Sequence, residues 1–317
     1  MSEPAAPLTA AGAPLPPLRL GVAPQELQRV AAALGARLSL RRRVEGPLSG
    51  AHTSPRQGAS LQFAQHRDYV PGDDPRHLDW RAFAKSDRYV VRQYQQETNL
   101  RACVVVDRSR SMGYVGGGRV SKGAFAAELA LALSWALLLQ GEAVGLATFG
   151  GGLARLLPAA SGREHFWRLL GALEESPWEP DTDAAAALGA LAERLPPRSV
   201  VCVLTDALEL DARGEGLTAL ARRMRAQGHS LSLLQVLDPH EVRFPFEDLS
   251  VFEGFEGEDP LTLDPATARA AYLEELEALC GGLERRALEG GVRYIRCVSD
   301  EPLESALARI AARGVTL

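Results

Sequence analysis

Val104-Val105-Val106-Asp107-Arg108-Ser109-Arg110-Ser111-Met112 is the stretch on which the reading of this chain turns. An apolar run from Ala102 to Val106 stops at one carboxylate, and hydroxyls follow at alternate positions. A strand buried on both faces is apolar on both, so the run reads as a central strand of a parallel sheet. Asp107, Ser109 and Ser111 then fall on the loop at its carboxyl end, where open α/β sheets place their ligands. One carboxylate and two hydroxyls offer only hard oxygen donors, which suit Mg²⁺ or Mn²⁺ and not zinc. Asp and Ser also open helices, so the stretch by itself reads equally well as a capped turn.

Downstream the pattern is regular α/β. A Gly-rich loop over 113–118 leads into an apolar helix over 121–140, and a strand follows over 143–149. The turn at Gly150-Gly151-Gly152 and a short strand over 153–157 predict a hairpin at the sheet edge. Helices are expected over 163–175 and 183–195. The apolar strand over 200–204 ends in Thr205-Asp206, and a helix over 210–227 and a strand over 230–237 come next. Residues 240–264 are irregular, with Phe244, Phe246, Phe252 and Phe255 among acids, and read as a hairpin packing apolar surface onto the sheet edge. A helix over 265–289, a strand over 292–298 and a helix over 303–313 close the chain. Strands alternating with helices imply a parallel sheet covered on both faces.

Upstream, Pro4, Pro7, Pro14, Pro16 and Pro17 mark residues 1–23 as a tail able to bury little surface. The next segment, 24–99, opens with a helix from Pro24 toward Leu38, with Leu27, Val30, Ala31 and Leu34 at helical spacing. Then comes Arg67-Asp68-Tyr69-Val70-Pro71-Gly72-Asp73-Asp74-Pro75-Arg76-His77-Leu78-Asp79-Trp80. Pro71 and Gly72 make a strong turn signal, but the charge and aromatic density exceeds what a turn requires. Two readings stand open. Arg67, Arg76, Asp73, Asp74 and Asp79 form an ion-paired network, or the segment is a partner surface with Trp80 as its anchor. Alternation at Tyr89, Val91, Gln93 and Gln95 indicates a small β-rich module.

Composition narrows the function. A net charge of −5 argues against a nucleic-acid binder. Arg41-Arg42-Arg43 precedes Glu45 without interleaved aromatics and reads as a solvated or partner-facing surface. Cys103, Cys202, Cys280 and Cys297 form no C-x-x-C pair, which fits buried thiols in a reducing cytosol and not a zinc site. The apolar run over 124–139 is interrupted by Glu128 and falls short of the ~20 residues of a membrane span, so a buried helix is expected. No secretory signal is visible, and a cytoplasmic location is expected.

Three polar clusters now sit at strand-end loops: Asp107/Ser109/Ser111, Asp181/Thr182/Asp183 and Thr205/Asp206. A doubly wound sheet gathers neighbouring strand ends into one crevice. Two carboxylates ~5 Å apart there repel by roughly 3 kcal/mol at an effective dielectric near 20. Mg²⁺ offsets this and keeps positions for water, one of which an acidic group of a partner can displace.

The spacing Asp107-x-Ser109-x-Ser111-Met112, then Thr182, then Thr205-Asp206 resembles the metal-ion-dependent adhesion site of von Willebrand factor type A domains. The segment from Arg67 to Trp80 looks like the signature of the family called domain of unknown function 58. The resemblance implies a type A-like, doubly wound, mostly parallel sheet over 100–317, preceded by a small β-rich module within 24–99. It implies a metal site of Asp107, Ser109, Ser111, Thr182 and Asp206, with Thr182 binding directly in one state. It makes Arg67, Tyr69, Gly72, Asp73, Asp74, Arg76, Asp79 and Trp80 the signature module or partner surface. It also implies a bacterial protein paired with a MoxR-type AAA+ ATPase, acting on a third protein that offers a carboxylate, in assembly or maturation. Many members carry membrane spans ahead of the signature. Here a Pro-rich tail stands in that place, and their membrane attachment is not expected to carry over.

Other functions fit less well. A metal-dependent hydrolase or phosphatase wants a base or nucleophile at the metal, and no His falls in the three loops. Nucleotide binding lacks G-x-x-x-x-G-K-[ST], since Ser121-Lys122 stands in reverse order, so 113–118 reads as a mobile loop beside the metal site. A structural module with a vestigial site is the remaining alternative.

Overall fold

The structure, a computed structural model, describes residues 15–35, 61–70, 78–86, 88–96, 101–179, 183–208, 210, 216–254 and 260–313. The chain divides into two compact units, Arg43–Asn99 and the combination of Met1–Arg42 with Leu100–Leu317. Helix α1 (Pro24–Gly35) belongs to the larger unit. In the smaller unit, β1 (Leu61–Asp68) pairs antiparallel with β2 (Val90–Gln96), and α2 (Trp80–Ser86) lies between them in sequence. The Asp79 carboxylate caps α2 by accepting from the Ala82 amide at 3.1 Å, the usual task of Asp at a helix start. Phe83 of this helix stacks on Tyr89 with ring centroids 4.5 Å apart. The alternation had indicated strands only; α2 is an addition, signalled by Asp79 at a cap position.

The larger unit is built on a six-stranded sheet. Its elements follow in order: β3 (Arg101–Asp107), a 3₁₀ turn (Arg110–Gly113), α3 (Lys122–Leu139), β4 (Ala143–Phe149), β5 (Leu153–Ala160), α4 (His165–Glu174) and α5 (Ala184–Arg194). The second half comprises β6 (Val200–Thr205), α6 (Gly216–Ala226), β7 (Ser230–Leu237), α7 (Pro239–Arg243), the hairpin β8 (Ser250–Phe252) and β9 (Leu261–Leu263), α8 (Pro265–Gly290), β10 (Arg293–Val298) and α9 (Leu303–Ala312). Strand order is β10-β7-β6-β3-β4-β5, parallel throughout except for β5, which pairs antiparallel with β4 at the edge. This is the doubly wound, mostly parallel sheet that the sequence predicts, and β5 is the expected edge hairpin.

The period-two geometry of a strand divides the core in two. Ala102, Val104 and Val106 of β3 join a cluster with buried residues of α1, α3, α4 and α9. Cys103 and Val105 face the other way, into a cluster with residues of α5, α6 and α8. Helix α3 is long and apolar enough to cross a membrane by length and composition, yet 89% of it is buried in the protein. It is the buried helix that the sequence predicts. All four cysteines are buried and free.

Two expectations about the N-terminal region change. Helix α1, grouped by sequence with the β-rich module, packs against α3 and α9, because Leu27, Val30 and Ala31 complete the apolar surface there. Residues 15–23, expected in the tail, lie along the larger unit. Leu18 is buried, the Pro16 carbonyl accepts from the Trp178 indole at 2.8 Å, and the Gly21 and Val22 amides donate to Glu128 at 2.6 and 3.1 Å. Glu128, fully buried in α3, also accepts from Arg119 at 2.5 Å. The residue that interrupted the apolar run is thus the anchor of an N-terminal strap.

Candidate functional site

The chain leaves β3 toward β4 on one side and returns to β6 on the other, so the strand order reverses between β3 and β6. A crevice opens at such a switch point, outside the carboxyl ends of the two strands. Asp107 ends β3 and Thr205 ends β6, with Asp206 next in sequence.

Asp107 is fully buried. Its Oδ1 accepts from the Ser109 amide at 2.8 Å and its Oδ2 from the Thr205 hydroxyl at 2.5 Å. The same Thr205 oxygen accepts from the Ala207 amide at 3.0 Å, in a turn where Ala207 takes a left-handed φ of 59°. Burial, with the Asp206 carboxylate nearby, pushes the Asp107 carboxyl up to about 7, while the Thr205 and Ser109 hydrogen bonds pull it back. Ser109 is buried, and its hydroxyl lies 3.1 Å from that of Ser111 on the 3₁₀ turn.

Those hydroxyls test the fit of an ion. Adjacent ligands of an octahedral Mg²⁺ with bonds of ~2.1 Å stand about 3 Å apart. The separation of Ser109 and Ser111 matches that edge, and the donors are all oxygen. Among the described residues no group of three or more His, Cys, Asp or Glu side chains is placed to hold a metal, so hydroxyls must supply part of any shell. The loop that contains Thr182 lies outside the described residues. Its neighbour Asp183 is described and caps α5 by accepting from the Ala186 amide at 2.9 Å.

Asp206 is engaged by a lysine. Its Oδ2 accepts from Lys122 Nζ at 2.9 Å, and that ammonium also donates to Glu241 Oε1 at 2.7 Å. Lys122, the first residue of α3, is 1% exposed. Burial alone would lower its pKa, but Asp206 and Glu241 outweigh burial and raise it, so the side chain is charged. The positive charge that two converging carboxylates require is present here as a lysine. The Asp206 carbonyl accepts from Gln235 of β7 at 2.9 Å, and the Gln235 Oε1 accepts from the Tyr294 hydroxyl at 2.5 Å.

Arg108 locks the loop from below. Its guanidinium is buried, donates to the Ser176 carbonyl at 2.6 Å and lies 3.8 Å from the Trp178 ring centroid. Burial lowers its pKa to about 10, with Asp107 acting against that. The backbone joins in, as the Glu179 amide donates to the Arg108 carbonyl at 2.8 Å.

The Gly-rich loop is not a free loop, contrary to the reading from sequence. The Gly116, Gly117 and Gly118 amides donate to the Asp238 carboxylate at 3.1, 3.0 and 3.3 Å, and the His240 amide adds a fourth bond at 2.8 Å. Three successive amides make an anion-binding concavity, and the chain fills it with its own buried Asp238. A Cβ on Gly118 would fall 2.3 Å from Ser299 Oγ, so a side chain there would have to displace that hydroxyl. Beside this loop, Tyr114, Glu241, Phe244, Phe252, Leu263 and Tyr272 line a cavity of about 350 Å³. Phe244, Phe246 and Phe252 cluster with one another, and Phe244 packs on Tyr272 of α8.

The structure therefore brings Asp107, Ser109, Ser111 and Asp206 to one crevice. Sequence reasoning missed Lys122, Glu241, Asp238 and Arg108. Only Asp238 carried a local signal, Asp-Pro before a helix with Glu three positions on. In the smaller unit, Asp79 is a cap, Tyr69 lies 6.4 Å from Tyr89 between ring centroids, and Trp80 is 60% exposed. Gly72, Asp73, Asp74 and Arg76, and the side chain of Arg67, lie outside the described residues, and so does the question of an ion-paired network among them.

Among curated proteins the chain is similar to the uncharacterized proteins Mb1516 of Mycobacterium bovis and Rv1480 of Mycobacterium tuberculosis. Each is 29% identical over 221 residues, which cover 68% of this chain and 68% of the relative. Similar solved structures include the conserved hypothetical protein BatB from Bacteroides thetaiotaomicron, at 19% identity over 68% of this chain and 96% of that one, with a TM-score of 0.43. Another is proximal thread matrix protein 1 of the mussel byssus, solved with a zinc-occupied MIDAS motif, at 13% identity over 68% and 47% of the two chains and a TM-score of 0.43. With residues 65–278 matching from β1 into α8, crevice included, the chain belongs to the family described as protein of unknown function DUF58.

Proposed function

We propose that this chain is a metal-ion-dependent protein-interaction module, with Mg²⁺ or Mn²⁺ at Asp107, Ser109 and Ser111 and with Thr182 and Asp206 completing the set. In this reading it works in the bacterial cytoplasm with a MoxR-type AAA+ ATPase, in the assembly or maturation of another protein. The observation that carries the metal part is the 3.1 Å separation of the Ser109 and Ser111 hydroxyls beside the buried Asp107 carboxylate. When bound, the ion supplies a Lewis-acid position that a carboxylate of the third protein occupies. Thr205 and the Ser109 amide hold Asp107 in one orientation, so little ordering is left to do on binding. Trp80, exposed on the signature module, is the proposed anchor for the ATPase.

The reading assigns binding and no turnover. Lys122 is engaged by two carboxylates and Asp107 by two donors, which suits a fixed docking point better than a nucleophile. The test is affinity capture with wild type and Asp107→Ala, each in Mg²⁺ and in EDTA. Capture of an AAA+ ATPase and a third protein by wild type in Mg²⁺ is the expected result, with the third protein lost in the other arms. Equal capture by Asp107→Ala or in EDTA removes the metal from the function, and recovery without an ATPase removes that partnership.

A further inference from the structure

We infer that Lys122 is a tethered counter-cation of the crevice, holding Asp206 in the ion-free state and competing with a divalent ion for that carboxylate. The inference rests on the metal reading above and concerns how that site is regulated.

The geometry supplies both positions such a device needs. Lys122 Nζ bridges Asp206 at 2.9 Å and Glu241 at 2.7 Å. The two anchors are themselves fixed. Glu241 Oε2 accepts from the Asp238 amide at 2.7 Å within the capping box that opens α7, and the Asp206 carbonyl is held by Gln235. A lysine carries a compact charge on a flexible stem, so it can release Asp206 while keeping Glu241. Charge complementarity points the same way. Asp206 and Glu241 share one ammonium and Asp107 stands beside Asp206, so the three carboxylates, once ionised, exceed the lysine by two negative charges, which one divalent ion neutralises. Without the lysine the excess is three, and without Glu241 it is one.

Two substitutions therefore push ion affinity in opposite directions. Mn²⁺ is titrated calorimetrically into metal-free wild type, Lys122→Met and Glu241→Gln, with circular dichroism confirming the fold of each. Lys122→Met is expected to bind Mn²⁺ roughly ten-fold more tightly than wild type, and Glu241→Gln roughly ten-fold more weakly. Gln at position 241 still completes the capping box, so this variant keeps its local structure and carries the test alone if Lys122→Met does not fold. Unchanged affinity in Glu241→Gln, or equal or weaker affinity in Lys122→Met, overturns the inference while leaving the metal reading in place. Lost stability with Mn²⁺ affinity untouched marks the lysine as structural only. If Mn²⁺ titrates into none of the three proteins, the metal reading fails and the inference with it.

Discussion

Replacing Asp107 by Asn is expected to stabilise the metal-free protein above neutral pH, although it removes a residue central to the crevice. Burial, and secondarily Asp206, raises the Asp107 carboxyl from its ordinary 3.8 to about 7 in the folded state. Below about pH 4 both folded and unfolded chains are protonated there, and the group costs nothing. Between about pH 4 and 7 the folded protein keeps a proton that the unfolded chain has lost, so stability falls as pH rises. At about 1.4 kcal/mol for each unit of pKa, the penalty reaches at most roughly 4 kcal/mol near pH 8. Asn escapes that penalty and, like the protonated carboxyl, offers one carbonyl acceptor to the Ser109 amide and one donor to the Thr205 hydroxyl oxygen. The variant is expected to be more stable by at most roughly 4 kcal/mol near pH 8 and to match the parent within about 1 kcal/mol near pH 4. Urea unfolding of both proteins in EDTA across this range gives the difference, from which titrating groups remote from Asp107 cancel. A difference that stays flat between about pH 5 and 8, or an Asn variant less stable at pH 8, refutes the account of a desolvated carboxylate.

Three further outcomes follow from the packing. Asp238→Ala strips the acceptor from three glycine amides and that of His240, and should cost roughly 3–5 kcal/mol in urea unfolding, with Asp238→Asn costing less. Glu128→Ala leaves the Gly21 and Val22 amides without their acceptor; a loss of roughly 2–3 kcal/mol and new protease cleavage within 15–23 are expected, and resistance equal to wild type would count against the strap. Trp80→Ala should cost no more than about 1 kcal/mol of stability, since the residue is 60% exposed and its ring meets Phe83 edge-on, while abolishing ATPase capture; retained capture would remove Trp80 as an anchor.

The fold was legible because its evidence is local. Val104-Val105-Val106 and Val200 to Leu204 are apolar at every position, which only strands covered on both sides require. The alternating Asp107, Ser109 and Ser111, and Asp206 after its strand, could be placed at one crevice because chain order fixes which strands meet at the switch point. What stayed hidden depends on pairing over distance. Lys122 reads as an ordinary residue in the first turn of a helix, and its partner Glu241 lies 119 positions away. Glu128 looks like a flaw in an apolar helix until residues 15–23 are laid beside it. The glycines of 113–118 signal a loop free of side chains, and the same signal serves a mobile loop or one packed against a carboxylate. Only the position of Asp238 separates the two.

The long reach of these contacts bears on the order of folding. Asp107 and Thr205 are separated by 98 residues, Lys122 and Glu241 by 119, and Gly117 and Asp238 by 121. Closing such loops costs entropy before any bond is gained, so local helices and the β4–β5 hairpin are expected to form ahead of the crevice. Interactions absent from the folding transition state act on the unfolding rate alone. An ion seated between β3 and β6 is therefore expected to prolong the life of the folded protein in stopped-flow unfolding and to leave its refolding rate unchanged. Under that ordering, the crevice acts as a clasp fastened after the sheet is complete.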